Sequence, residues 1–304
     1  MTEYGSVKHL VSRSNLRRRY RRDFGVLALI VLMVLAVIVP LLLIVGHVVV
    51  NGIGALNLEF FTNDLGSPTR ALLDKPSGLG HSIIGTLVVD SVALLIAIPI
   101  GIAAGIMLSE YRENPLTPLL RVLNDTLNGM PAILKGMLAW TIIVRPAGTF
   151  SGWAGAVALS FVMIPIIARA TEGVLSVIPW DIREAGLALG LPRWRVVLSA
   201  VLPAARTGVV TGVLLAFARA VGEAAPLLLT ALGNNFYSNN ILEYLIKPVD
   251  TLPSRLYSLA MSPYEQWHGM GWAAGIVLLA IVVVAFILAR AITSRNRFAE
   301  RVRS

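Results

Sequence analysis

Residues 216–230 read AFARAVGEAAPLLLT, an apolar run with an arginine, Arg219, and a glutamate, Glu223, in its middle. A charge in the centre of a membrane-crossing helix costs on the order of several kcal/mol, so such residues mark function or a specific pairing. The two are four positions apart, which puts them one turn from each other on one helix face. Pro226 follows, where it removes a helical hydrogen bond and bends or ends the helix.

The surrounding chain supports the membrane reading. Of 304 residues, 56% are hydrophobic and 14% charged, against about 25% charged in an ordinary soluble domain. Apolar runs long enough to cross a bilayer recur along it. The absence of cysteine excludes disulfides, thiolate metal sites and a cysteine nucleophile. The net charge of +9 gathers in the tails and at the ends of apolar runs. That distribution follows membrane orientation and gives no support to nucleic-acid binding.

In chain order, residues 1–23 are a basic tail, in which Lys8, Arg13, Arg17, Arg18, Arg19, Arg21 and Arg22 outweigh Glu3 and Asp23. Such a flank sits on the cytoplasmic side with affinity for anionic lipid. A first transmembrane anchor spans 24–50. Five further spans are expected at about His81–Leu108, Val122–Val144, Gly152–Ala168, Gly208–Leu232 and Gly271–Ala289, and a second basic tail runs over 291–304. Gly101 and Gly105, and Gly208 and Gly212, have the spacing that lets helices approach closely. Pro99, Pro131, Pro165 and Pro226 mark kinks or ends. Asp90 is expected to pack between helices or pair with an arginine. The positive-inside rule puts both termini and the polar stretch 169–207 in the cytoplasm, with 51–80 and 233–270 outside. The fold class is therefore an all-α integral membrane protein with six transmembrane helices.

Within the polar stretch, Trp180–Gly190 reads WDIREAGLALG. Pro179 and Asp181 suit a helix start. Ile182, Ala185, Gly186 and Leu189 recur with helical spacing as one apolar face. A helix of this size either packs on its own membrane domain or docks on a partner, and spacing leaves both open.

Here the sequence resembles a family. Glu184, Ala185, Gly190, Leu202 and Pro203 stand at the spacing of the motif that marks permease subunits of ABC importers, with departures at Gly186 and Ala200. The resemblance implies a MetI-like permease domain over 80–290, with a coupling segment over 177–203. The residues Ile182, Glu184, Ala185, Gly186, Leu189 and Gly190 would then dock on an ATP-binding subunit. More narrowly, IPIIARATEGVLSVIPWDIREAGLALG (164–190), FARAVGEAAPLLLTALGNNFYS (217–238) and MSPYEQWHGMGWAAG (261–275) resemble the membrane subunits of phosphate importers. That implies phosphate as cargo and, as partners, a homologous second permease, two ATP-binding subunits and an exterior phosphate-binding protein. It also implies residence in a bacterial cytoplasmic membrane.

The energy source is expected elsewhere. Lys8, Lys75, Lys135 and Lys247 are the four lysines, and none follows a glycine as a phosphate-cradling loop requires. No cofactor, metal spacing or catalytic constellation stands out, so the chain is read as a transport subunit and not an enzyme.

The candidate path residues are Arg219, Glu223, Arg169 and Lys135. If the fifth span covers Gly208–Leu232, Arg219 lies roughly 16–20 Å from either end at about 1.5 Å per residue. Its planar guanidinium grips a tetrahedral oxyanion through two parallel hydrogen bonds and stays charged at any working pH. Glu223 would hold Arg219 while the site is empty. The alternative is a purely structural Arg219–Glu223 bridge. Arg169 enters through the resemblance, which links the arginine of the run PIIARATE (165–172) to transport, and Lys135 through its place inside the third span; snorkelling to the surface is the alternative for both. Other functions left open are a permease for another oxyanion such as sulfate or molybdate, a secondary transporter or channel, and a receptor.

Overall fold

The computed structural model describes residues 13–67, 69–70 and 76–301. The ends of the two basic tails, 1–12 and 302–304, lie outside the described residues. The chain divides into two units, Met1–Val50 and Asn51–Ser304. The described residues of the first lie in helix α1 (Arg13–Gly52), which carries the apolar run of the anchor.

In the second unit, α2 (Leu58–Thr62) leads to α3 (Gly80–Glu110). Then come α4 (Thr117–Gly129), α5 (Ala132–Ala147), α6 (Gly152–Val177) and the short α7 (Trp180–Ala188). Helix α8 runs over Arg193–Val221. After it come α9 (Ala225–Leu228), α10 (Ile241–Ile246), α11 (Leu252–Ala260) and α12 (Glu265–Arg301). Among the described residues, the β structure is one isolated bridge between Leu232 and Val249. Five helices are long and apolar enough to cross a membrane unbroken, and the bent α4–α5 pair brings the number to six where it is counted as one broken span.

Helix α6 is the axis of the unit, and α3 and α8 pack along it. The two glycine pairs sit at these crossings. A Cβ at Gly101 would stand 2.7 Å from the Ile167 side chain, and one at Gly105 2.7 Å from the Ala168 carbonyl oxygen. Gly208 and Gly212 face Val174 and Ala170 in the same way. Small residues here let backbones approach where apolar burial offers little drive between helices in lipid. The main core joins Val89, Ala93 and Ala97 of α3 to Leu159, Met163 and Ile167 of α6, Ala216 and Ala220 of α8, and Leu227 of α9.

Three spans differ from their expected courses. The third is not one helix. Met130 adopts an extended conformation before Pro131, the conformation proline favours in the residue ahead of it, and α4 and α5 meet at 113°. The fourth runs past Ala168 to Val177 with Pro165 accommodated inside it, and stops where Ile178 turns extended before Pro179. The fifth begins at Arg193, not Gly208, and ends at Val221, not Leu232. Val196, Val201, Ala205 and Val209 recur along one face and are buried, so packing extends the helix through residues that look polar in sequence. At its far end Gly222 closes the helix, and Pro226, which has no N–H to donate, opens the next short one.

At the start of α3 a buried polar network holds the long loop that precedes α12. Arg255 Nε donates to Asp250 Oδ2 at 2.7 Å, and Ser82 Oγ donates to the same oxygen. Arg255 also reaches Asn235 Oδ1 at 2.8 Å, and the Leu252 N–H donates to Thr86 Oγ1 at 2.8 Å. Asp250 and Arg255 are buried, so the pair depends on these added partners to offset its desolvation.

Candidate functional site

The break in the third span forms a cavity of about 300 Å³. Asn128, Met130, Pro131 and Ala132 line it at the α4–α5 bend, Lys135 one turn into α5, Val162 and Ile166 on α6, and Arg219 and Glu223 at the end of α8. Three of the four candidate path residues therefore surround one space, though 84 residues or more separate Lys135 from the other two in sequence.

Arg219 Nη2 stands 2.7 Å from Glu223 Oε1. The pairing is the expected one, but its setting is not mid-helix. Arg219 is in the last turn of α8 and Glu223 lies beyond the cap at Gly222. The Arg219 side chain is 64% exposed, while that of Glu223 is 16% exposed. The arginine is thus an accessible cation on a largely enclosed carboxylate. Lys135 is the reverse, with 6% of its surface exposed. Gly136 explains how α5 comes so close: a Cβ there would lie 2.6 Å from the Pro226 Cα, so α5 and α9 touch backbone to backbone. Two cations, one carboxylate and the Asn128 amide thus give a net positive space able to take a small anion and hydrogen-bond it.

Arg169 is not in this lining. Its Nη1 donates to Glu172 at 3.2 Å and its Nη2 pairs with Asp125 of α4. Arg121 pairs with the other oxygen of Glu172 at 2.9 Å. These four residues tie α4 to α6 close to the bend. Asp90 pairs with no arginine among the described residues, and its buried Oδ1 has no hydrogen-bond partner.

The coupling segment forms α7, with its single predicted face divided. Ile182 packs on the cluster of Leu175, Val196 and Val201, and a Cβ at Gly186 would be 2.8 Å from Val196. Glu184, Ala185, Leu189 and Gly190 are exposed. Gly190 has φ +77°, the left-handed backbone that favours glycine and ends the helix. What holds α7 is Arg183, which the sequence reading passed over. It is buried and donates to both carboxylate oxygens of Glu110 at the end of α3, and to the Leu175 and Ile178 carbonyls. The hydrogen bond to Glu110 pushes the Arg183 guanidinium above its ordinary value. Asn128, Asp125 and Glu110 were missed too. Nothing in their spacing links them to their partners, because the links are made between helices.

A multi-pass helical bundle with a charged cavity at a broken span has the architecture of a membrane permease. The chain belongs to the binding-protein-dependent transport system inner membrane components, whose family profile matches residues 97–298. It is 38% identical to the phosphate transport system permease protein PstA of Yersinia pestis, over 84% of this chain and 85% of that protein. Identity is 40% to PstA of Pasteurella multocida, over 80% and 84% of the two chains. It is 31% to PstA 1 of Mycobacterium tuberculosis H37Rv, over 96% and 94%. The fold is that of known ABC permeases. The TM-score is 0.61 to a chain of a bacterial alginate ABC transporter, covering 92% of this chain and 97% of that one at 12% identity. It is 0.56 to a chain of the MetNI methionine ABC transporter, covering 71% and 92% at 19% identity. The family consists of transport components, not enzymes.

Proposed function

We propose that this chain is a permease subunit of an ATP-driven phosphate importer in a bacterial cytoplasmic membrane, with both termini in the cytoplasm. A homologous second permease, two ATP-binding subunits and an exterior phosphate-binding protein complete the system. The observation that carries the reading is the convergence of Lys135, Arg219 and Glu223 on one cavity at the α4–α5 break, in a chain related to phosphate permeases.

Phosphate bears one to two negative charges near neutral pH and needs counter-charge to leave water. Lys135 and Arg219 supply it, and the exposed guanidinium offers two parallel donors to a tetrahedral anion. Glu223 holds Arg219 when the space is empty and yields it to the anion, which keeps the site from binding too tightly to release. No bond of the phosphate is made or broken. The exposed residues Glu184, Ala185, Leu189 and Gly190 meet the ATP-binding subunit, while Ile182 and Gly186 pass the motion on through Val196, and Arg183 through Glu110. Hydrolysis thus moves α7, α3 and the start of α8 together, and access to the cavity switches sides. Arg169 acts on the path indirectly, by fixing α4.

Another tetrahedral oxyanion fits the same charges. Uptake of labelled phosphate and of labelled sulfate by a strain lacking this gene, with and without the restored gene, separates the two. Restored phosphate uptake alone is expected. Phosphate uptake that is the same in both strains overturns the reading.

A further inference from the structure

A second site lies away from the cavity, where α3 ends and α8 begins. Ala103, Ile106 and Met107 of α3, Tyr111 and Asn114 after it, and Trp194, Val197 and Leu198 of α8 line a groove of about 390 Å³. Its walls are apolar except at the end formed by Tyr111 and Asn114. Two guanidiniums outside the lining itself stack on its rings. Arg193 lies over the Tyr111 ring at 5.2 Å and Arg195 over the Trp194 ring at 5.3 Å. Both arginines are exposed, and neither pairs with a carboxylate among the described residues. The groove lies where one candidate span, Gly80–Glu110, ends and another, Arg193–Val221, starts. That is the level at which aromatic and basic side chains meet phospholipid headgroups.

We infer that this groove binds an anionic phospholipid from the membrane, with an acyl chain along Ile106, Met107, Trp194 and Leu198 and the headgroup phosphate on Arg193 and Arg195. Charge and position select this occupant. A protein helix would need a carboxylate to satisfy two bare guanidiniums, and a zwitterionic lipid would bring its own cation. A ring under each arginine orients the planar donors without neutralising them. Occupancy has a consequence for coupling. Trp194 and Leu198 face the groove, while Val196 between them supports Gly186 of α7. A bound lipid therefore steadies the turn of α8 on which the coupling helix rests. This holds whichever anion the permease carries.

The test uses the full chain in its assembled complex, stripped of lipid in detergent. Phosphatidylglycerol or phosphatidylcholine with matched brominated chains is titrated in, and quenching that is lost in Trp194→Phe reports occupancy. Half-quenching is expected at about thirtyfold lower concentration for phosphatidylglycerol, since each of the two basic residues near a headgroup strengthens attraction about fivefold. Arg193→Gln/Arg195→Gln should bring phosphatidylglycerol to the phosphatidylcholine value, and Arg193→Lys/Arg195→Lys should keep part of the preference. Equal affinity for the two lipids in the wild type overturns the inference, as does a preference that survives loss of both arginines. So does the absence of any Trp194-dependent quenching, the result if another subunit covers the groove. Displacement of phosphatidylglycerol by millimolar inorganic phosphate would assign the arginines to a free anion and overturn it as well.

Discussion

Arg183 and Glu110 form a buried two-point ion pair that fastens the coupling helix to the end of α3, with the guanidinium 7% and the carboxylate 2% exposed. Arg183 Nε meets Glu110 Oε2 at 2.9 Å, and Nη2 meets Oε1. Removing one member leaves the other charged and dry. Arg183→Ala should therefore destabilise the chain by about 3–5 kcal/mol, and Glu110→Leu/Arg183→Met should recover most of that. Thermal unfolding of the purified complex checks both. An Arg183→Ala protein that melts with the wild type would show that α7 is held by its apolar contacts alone.

Gly136 tolerates no side chain, because its neighbour is the Pro226 backbone and not a flexible tip. Gly136→Val should push α5 from α9, cost about 1–3 kcal/mol by overpacking, and disrupt uptake. Gly173, on α6, has open space where a Cβ would stand. Gly173→Ala should leave uptake unchanged and stability equal or slightly higher. The comparison separates the cavity wall from helical glycine in general.

Arg219→Lys retains the charge but loses the planar fork. Labelled phosphate uptake should fall roughly tenfold or more while the complex still assembles, because a lysine ammonium binds an oxyanion as a point charge. Full uptake by the lysine variant would take the guanidinium out of the path.

Arg169 and Asp125 are each more than a third exposed, so their pairing adds at most about 1 kcal/mol to stability. Its effect should appear in transport. Arg169→Asp and Asp125→Arg should each reduce uptake with little change in melting temperature, and Asp125→Arg/Arg169→Asp should restore much of it. Failure of the exchange, with each single variant inactive, would mean that Arg169 meets the anion itself.

Glu184 lies on the exposed side of α7 and makes no ion pair among the described residues. Glu184→Lys should weaken copurification of the ATP-binding subunit and leave the melting temperature of the permease unchanged. Equal copurification would place the docking surface elsewhere on α7, on Leu187 or Leu189.

Much of this protein was legible in its residues. Apolar run length announces a bilayer span because each span must satisfy its own backbone, so the number of crossings and the existence of α7 follow from local pattern. The glycine pairs at 101/105 and 208/212 likewise marked real helix crossings. Arg219 and Glu223 declared themselves, since a charge in an apolar run is conspicuous in one dimension. The course of the spans was less readable. Arg193 and Arg195 look like a loop in sequence, yet α8 starts there because its opposite face is buried. The bend at Met130–Pro131 was read as a kink or an end, since proline alone does not say how far the chain turns: Pro99 and Pro165 stay inside α3 and α6.

What only the tertiary structure decided is which residues share a space. Local pattern alone gave an all-α membrane protein of several spans with an anomalous Arg219–Glu223 pair, and its motifs the likeness to importer permeases. The sequence offered Lys135 as a candidate for the same path, and held no sign that Arg169 turns to Asp125 and Glu172 or that Arg183 reaches Glu110. Periodicity reports the face a side chain occupies on its own helix. Which faces meet depends on the close approach of α3 and α8 to α6, on the α5–α9 contact at Gly136, and on the bend between α4 and α5.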